Sequence, residues 1–434
     1  MLCAGFPSAT ALVGALLLSA PAPAAAQISP AAAPPYPAPG AARAGVAPVT
    51  PAATSPTVAP VPGAPVFERD EDAPLAGYTN GQPFIRSRDS NFILFPSGRL
   101  NVDSYFYLNR GEPPEGIEAD GPGDQRPRHT IFVRRARAEI MGTILKRFDY
   151  MIAGEFASIP ILFQSATISD VFVNANLTPW ANLQIGQFDA PFTLENRTAD
   201  KYIDFMERSI TVRAIGVPSN KEIGLMLHGL APNGALRYEA GVFNGDGGNV
   251  RNPDSHFDFI TRAYVAPLAL LPQAKNTRWL SEIWLGASFW YGKRVDVPYD
   301  IFPLSTNGGV TILAPPFGAG YRQVSNGELL KWAVELNVPV GPLGWRFELV
   351  RVEREELGIF RAPITDAERA LPLSRVLAGN VNRTATSFYV QMWYWLYGKP
   401  SMLPTAGQDL PARWRGYIKG RETYPIGVYV TARY

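Results

Sequence analysis

Cysteine is almost missing from this chain. Its 434 residues include one, Cys3, so no disulfide framework can hold the fold. Histidine is scarce as well. The three present, His129, His228 and His256, are isolated and form neither an HExxH pair nor a zinc-ligand spacing, so no metal and no cofactor is expected. There is no G-x-S-x-G elbow and no phosphate-binding P-loop. An excess of one charge is lacking too. Forty Lys and Arg stand against 38 Asp and Glu, which is no electrostatic footprint for nucleic acid. Past the N-terminus there is no long apolar run, whereas a membrane-spanning helix needs about 20 such residues.

What is present is glycine, proline and aromatic side chains together: 39 Gly, 41 Pro and 12% Phe, Trp and Tyr, with only 18% charged residues. A wall that faces lipid on one side and water on the other averages to such a composition. The N-terminus reads as a secretory signal. Ala11 to Ala20 is an apolar core, followed by Pro21 and the small residues Ala24, Ala25 and Ala26, with cleavage expected after Ala26. No Lys or Arg precedes that core. The stretch from Ile28 to about Val66 is nearly all Pro, Ala, Gly, Val, Thr and Ser, a composition for an extended linker rather than a core. It is either a passive spacer or a span across part of the periplasm. The expected organisation is a signal peptide over 1–26, a linker and lead-in over 27–90, and a transmembrane β-barrel over 91–434.

From about Phe92 onward, apolar and polar residues alternate in stretches bounded by Gly, Pro, Asn and Asp. Leu330, Trp332, Val334, Leu336 and Val338 alternate with Lys331, Glu335 and Asn337. Phe388, Val390, Met392, Tyr394 and Leu396 alternate with Tyr389, Gln391, Trp393 and Trp395. Successive strand side chains point to opposite faces, so each stretch has one apolar and one polar face. A soluble β-sandwich alternates too. Three features favour the barrel: the secretory signal, the absence of a cofactor or metal motif, and aromatic residues near segment ends. Those aromatics are Tyr105, Tyr107, Trp279, Trp290, Tyr291, Trp393 and Trp395, read as girdles at the membrane interfaces. About 13 strands can be counted this way.

Several blocks then carry a family resemblance. FVRRARAEI at 132–140 is followed by FDYMIAGEF at 148–156, LQIGQF at 183–188, Pro191 and Phe192, Glu195, and FMER at 205–208. Ile223 and Gly224, VFNG at 242–245 and YVQMWYWLYG at 389–398 continue the order. As a set these resemble the phosphate-selective porin O and P family, over most of the chain from about residue 92. The resemblance implies an antiparallel transmembrane barrel of about 16 strands, a homotrimer, an arginine-lined pore and a third loop folded inward. It implies pore-lining, anion-binding roles for Arg134, Arg135 and Arg137 near the constriction, and for Arg197, Lys201, Arg208 and Arg213 in a loop running from about Phe192 to Arg213. The segment from Gly427 to Tyr434 resembles an internal family strand, although Ile426, Val428, Val430, Ala432 and Tyr434 also alternate as a terminal strand does. Hidden strands, a smaller barrel and a sequence that continues further all remain open.

The residues themselves point the same way. On the strand from Thr130 to Leu145, the alternation puts Phe132, Ala136, Ala138, Ile140 and Ile144 toward lipid and Val133, Arg135, Arg137 and Glu139 toward the lumen. A cation facing lipid at mid-membrane costs about 2–4 kcal/mol, so Arg135 and Arg137 should point inward. Arg134 falls on the apolar face and should snorkel to an interface. Inward arginines attract anions, with phosphate matched bidentately. The competing reading pairs them with Glu139, Glu155 and Asp170 and neutralises the lumen. Arg237 and Glu239, Asp258 and Arg262, Arg346 and Glu348, and Arg433 are further inward positions of both signs. Within the loop, Tyr202, Phe205, Met206 and Ser209 share one helical face. The run from Asn244 to Asn249 is a Gly-rich turn without the ligand spacing of a calcium loop. The expected function is passive diffusion of small anions, phosphate or another inorganic anion, across outer-membrane lipid. The alternatives are a non-selective or structural barrel and, from another class, a barrel hydrolase using His129.

Overall fold

The alternating stretches are strands in the computed structural model of the protein. In chain order they are β1 (Ala76–Thr79), β2 (Gln82–Arg86), β3 (Phe92–Tyr105), β4 (Thr130–Ile144), β5 (Phe148–Glu155) and β6 (Thr167–Thr178). Then come β7 (Ala181–Asp189), β8 (Lys221–Leu230), β9 (Leu236–Phe243), β10 (Asp258–Val265) and β11 (Trp284–Pro298). The last are β12 (Leu304–Ser305), β13 (Thr311–Leu313), β14 (Tyr321–Val340), β15 (Leu343–Arg361), β16 (Gly379–Tyr397) and β17 (Val428–Arg433). The residues described are 74–434 except 80–81, 109, 113–114, 116–125, 127, 158–166, 179, 199, 201–202, 218, 232–234, 276–277, 299–303, 306–310, 314–320, 362–378 and 398–427. The expected signal peptide and most of the linker lie outside them.

Fifteen of these strands form one sheet in which each pairs with the next, β12 and β13 forming a separate hairpin so that β11 pairs with β14. Every pairing is antiparallel. Among the described residues, β1 and β17 are the two edges of the sheet. The ladder begins at Ala76, inside the stretch read from the sequence as lead-in to the barrel. β1 and β2 have four and five residues, AGYT and QPFIR, too short and too mixed to show a two-residue period. No helix among the described residues is long and apolar enough to cross a membrane.

The two faces of the sheet are the reverse of those in a soluble sandwich. Leu100, Ile131, Ile140, Ile152, Ile185, Leu285, Phe388 and Met392 are exposed, whereas Arg135, Glu139, Asp170, Glu239, Arg262, Glu335 and Glu348 are buried. A chain in water gains by hiding apolar area, at about 25 cal/mol per Å². This arrangement therefore suits a wall with hydrocarbon outside it. The inner face also carries an apolar belt. Phe172, Phe188 and Phe243 meet edge to face at 6.0 and 5.7 Å, and Phe192 meets Trp290 at 5.7 Å.

The girdle assignment fails for three tryptophans. Trp290, Trp393 and Trp395 are buried on the inner face. Trp290 donates its indole N–H to Asp258 at 2.6 Å and lies under Lys331 Nζ at 3.9 Å. Trp393 lies under the Arg346 guanidinium at 5.2 Å, and Trp395 stacks on Tyr429 at 4.8 Å. Strand parity decides the side, and position near a segment end does not. Tyr291 and Tyr394, one residue along from Trp290 and Trp393, are exposed on the outer face.

Candidate functional site

The site begins with an irregularity in β4. The register of β3 and β4 pairs Asn101 with Arg135 and Val102 with Val133, leaving Arg134 as one extra residue. Such a bulge shifts side-chain parity by one. Before it, Ile131 and Val133 are exposed; after it, Ile140 and Ile144 are. Val133 therefore belongs to the outer face and Phe132 does not, the opposite of strict alternation. Arg134 does not snorkel outward. It turns inward beside Arg135, and its Nε lies 2.6 Å from Glu207. In a regular strand one of two adjacent arginines must face lipid, at about 2–4 kcal/mol. The bulge removes that conflict.

The wall now presents an accumulation of like charge. Arg99 of β3 sits directly opposite Arg137 of β4, with Arg135 on the same face. Like charges directly opposite each other destabilise a ladder, so the cluster needs counter-charges. Glu155 on β5 supplies one, 2.7 Å from Arg137. The others come from the segment between β7 and β8, which crosses the inner face. Asp200 lies 3.2 Å from Arg99, 3.5 Å from Arg135 and 3.0 Å from Arg137, and it also pairs with Arg208. Glu207 pairs with Arg134, Arg135 and Arg213. Burial alone would raise the Asp200 carboxyl. The guanidiniums of Arg208, Arg137, Arg135 and Arg99 outweigh burial and hold it well below the usual carboxylate range. Glu139 and Asp170, expected from sequence as partners, do not bond these arginines. Asp170 instead takes Lys221 at 2.6 Å.

The same crossing segment is pinned at many other points. A short helix, α1 (Leu194–Arg197), is capped by the Thr193 side chain. The Glu195 backbone N–H donates to Glu348 at 2.7 Å, and the Glu195 carboxylate binds Arg433 at 2.6 Å. Asp204 accepts from Arg346 at 3.0 Å, from Tyr429 at 3.3 Å and from Gln391. A π-helical turn at Thr211–Gly216 follows, whose Gly216 carbonyl accepts from Lys331 Nζ at 2.8 Å. One segment thus touches β3 and β4 with Asp200 and β15, β16 and β17 with Asp204. Strands far apart in sheet order face it together, so the sheet wraps around it. No helix runs through Phe205, Met206 and Ser209, because Asp204 and Glu207 are drawn to different strands and the backbone between them is a series of bends.

The candidate residues divide accordingly. Arg134, Arg135, Arg137, Arg208 and Arg213 meet in one ion-pair network. Arg197 is elsewhere, 3.0 Å from Glu239 and bonded to the Asp189 carbonyl. Lys201 lies outside the described residues. Arg213 is the most open of the network, with 30% of its side chain exposed against 6–16% for Arg99, Arg134, Arg135, Arg137 and Arg208. Sequence reasoning missed Arg99, Asp200 and Asp204. A signal was available in the loop, where Asp200, Asp204 and Glu207 recur as carboxylates opposite a wall with a surplus of arginine. The Gly-rich turn at Asn244–Asn249 is organised by Glu222, whose carboxylate accepts from the Gly245 and Gly247 N–H groups. Among the described residues no cluster suited to a metal ion occurs. Among the described residues, His129 meets the Tyr107 backbone N–H at 3.2 Å and the rings of Phe106 and Tyr107.

Comparison with known proteins adds four findings. The family model described as phosphate-selective porin O and P matches residues 118–417. Among solved structures, a loop L8 deletion mutant of OmpT, an outer membrane protein of Vibrio cholerae, is similar at 9% identity and a TM-score of 0.31, over 70% of this chain and 89% of that one. The in-vitro folded trimer form of OmpT from the same organism is similar at 9% identity and a TM-score of 0.28, over 79% of this chain and 97% of that one. No curated protein matches the chain in sequence.

Proposed function

The chain belongs to the phosphate-selective porin O and P family, a channel of the bacterial outer membrane, and on that premise we propose that it conducts small anions in preference to cations, with phosphate or another inorganic anion as cargo. The observation that carries this reading is the balance of the network where the crossing segment meets β3 and β4. Six guanidinium groups, those of Arg99, Arg134, Arg135, Arg137, Arg208 and Arg213, share three carboxylates, Glu155, Asp200 and Glu207. Asp103 and Glu139 on the same wall, Asp170 near Arg137, and Asp189 and Glu195 near Arg208 temper that surplus, so the selectivity is moderate. A fixed positive surplus at a narrowing enriches anions and repels cations. In this reading Arg213 is the cation most open to a passing ion, while Arg134, Arg135, Arg137 and Arg208 set the field from behind their partners. Arg197, tied to Glu239, is a structural pin.

The working form is a homotrimer in outer-membrane lipid, exported by a signal peptide over 1–26, with a linker and lead-in over 27–90 that includes the short strands β1 and β2. Reversal potential across a planar bilayer in a salt gradient tests the central claim. A potential of the sign set by the anion is expected. A potential near zero leaves a non-selective barrel whose arginines only fasten the crossing segment.

A further inference from the structure

The Asp200 carboxylate stands where a bound anion would. Its Oδ2 collects Arg99, Arg135 and Arg137 from the wall at 3.2, 3.5 and 3.0 Å, whereas its Oδ1 faces Arg208. Arg208 is held within the crossing segment by the carbonyls of Glu195 and Thr198, at 3.2 and 3.0 Å. The carboxylate is therefore two-sided: one oxygen belongs to the segment and the other bridges to the wall. Three wall guanidiniums, each with several N–H donors, converge on a single oxygen. That oxygen cannot satisfy them all, and Arg99 Nε is buried without a hydrogen-bond partner. A tetrahedral oxyanion offers more acceptor oxygens and a larger charge than one carboxylate oxygen, and matches guanidinium forks bidentately. A halide offers a single point of contact.

We infer that Asp200 is a tethered counter-anion, an internal competitor that a permeating oxyanion displaces from Arg99, Arg135 and Arg137. This rests on the reading of the chain as an anion channel and adds a residue of opposite sign that sets its affinity. When the oxyanion engages the wall, Asp200 keeps Arg208, and the segment loses one of its bridges to β3 and β4. When the oxyanion leaves, Asp200 re-forms the bridge and again offsets part of the wall's positive charge. Occupancy of the wall arginines is thus exchanged between two anions and does not stay vacant, which favours release as well as entry.

The test is calorimetric titration of the folded, detergent-solubilised protein with inorganic phosphate, comparing wild type with Asp200→Asn and Asp200→Glu. Asn removes the competing charge and is expected to tighten phosphate binding about tenfold, the scale of one charge-assisted bond. Glu keeps the charge and is expected to stay near wild type. Equal or weaker binding in Asp200→Asn overturns the proposal and leaves Asp200 a fastening. Should Asp200→Asn not fold, wild type decides. Saturating phosphate should speed amide hydrogen exchange across 194–213 if Asp200 is displaced, whereas slower exchange shows joint binding and sinks the idea. Neither readout depends on conduction. A wild-type channel without anion preference would remove the reading beneath this one, and the titration would still report on Asp200.

Discussion

Two charged regions of the inner wall solve the same problem differently. Around β9, β10 and β14, charges pair mainly within the wall itself: Arg262 lies 2.6 Å from Glu335 and 3.7 Å from Glu239, with 1% of its side chain exposed, and Glu239 takes Arg197 from the crossing segment as well. Around β3 and β4, the wall carries more arginine than it can match, and the missing carboxylates arrive on the crossing segment. The first arrangement is sealed by burial, with at most 2% of the Arg262, Glu239 and Glu335 side chains exposed. The second is separable, since its two halves lie on different parts of the chain and are joined by ion pairs between side chains. A buried pair is worth little over an apolar replacement, but removing one partner is costly because a charge is stranded. A pair between wall and loop is open to exchange with dissolved ions.

The largest effect should follow from damaging the sealed region. Arg262→Ala leaves Glu335 without its ion pair inside the sheet, while Glu239 keeps Arg197 and Arg237, and is expected to destabilise the protein by about 3–5 kcal/mol. The readout is loss of the fast-migrating unboiled form on a gel, which a folded barrel retains. A variant as heat-modifiable as wild type would erase the contrast between the regions. Next comes Arg135→Ala combined with Arg137→Ala. The barrel should fold, the anion-to-cation permeability ratio should fall, and amide exchange over 194–213 should rise, because Asp200 keeps only Arg99 and Arg208. An unchanged ratio with normal folding would show that the surplus does not reach the permeating ion.

Arg213→Ala should act on selectivity alone. A unit charge about 4 Å from a passing ion is worth about 1 kcal/mol in water, so the permeability ratio is expected to fall about fivefold at low salt. The difference should shrink above roughly 0.1 M, where the screening length is about 10 Å. The smallest effect separates two loops by pH. The Asp200 carboxyl is depressed, so its contribution is present above its usual 3.8 and is lost only as pH falls through the lower folded value. Exchange over 194–213 should therefore be alike at pH 5 and pH 7.5 after correction for intrinsic rates. Asp246, in the turn after β9, is pushed the other way, to about 6, first by burial and then by Asp254 and Asp258 against the pull of Arg294. A raised carboxyl gives stability that is complete below 3.8 and is lost as pH rises through about 6. Residues 244–255 should thus be better protected at pH 5 than at pH 7.5.

Much of the wall can be read from residue order alone. A period of two is a local property, so the alternation along β14 or β16 declares two unlike faces without knowledge of any neighbour. Inward positions such as Arg262, Arg346 and Glu348 followed from it, and all are buried. The blocks shared with the porin family carried the architecture and the outer-membrane setting. What residue order could not give is what depends on a partner. The bulge at Arg134 is visible only in the register of two strands, so alternation counted along one of them put Phe132, Val133 and Arg134 on the wrong faces. Trp290 and Trp393 looked interfacial because position along a segment was read without its parity. The pairing of Asp200 with Arg99, Arg135 and Arg137 joins residues some 60 to 100 positions apart. Nothing local selects such a pairing. It is fixed by the need to offset crowded like charges in a space that exists only once the sheet has wrapped around the segment that crosses it.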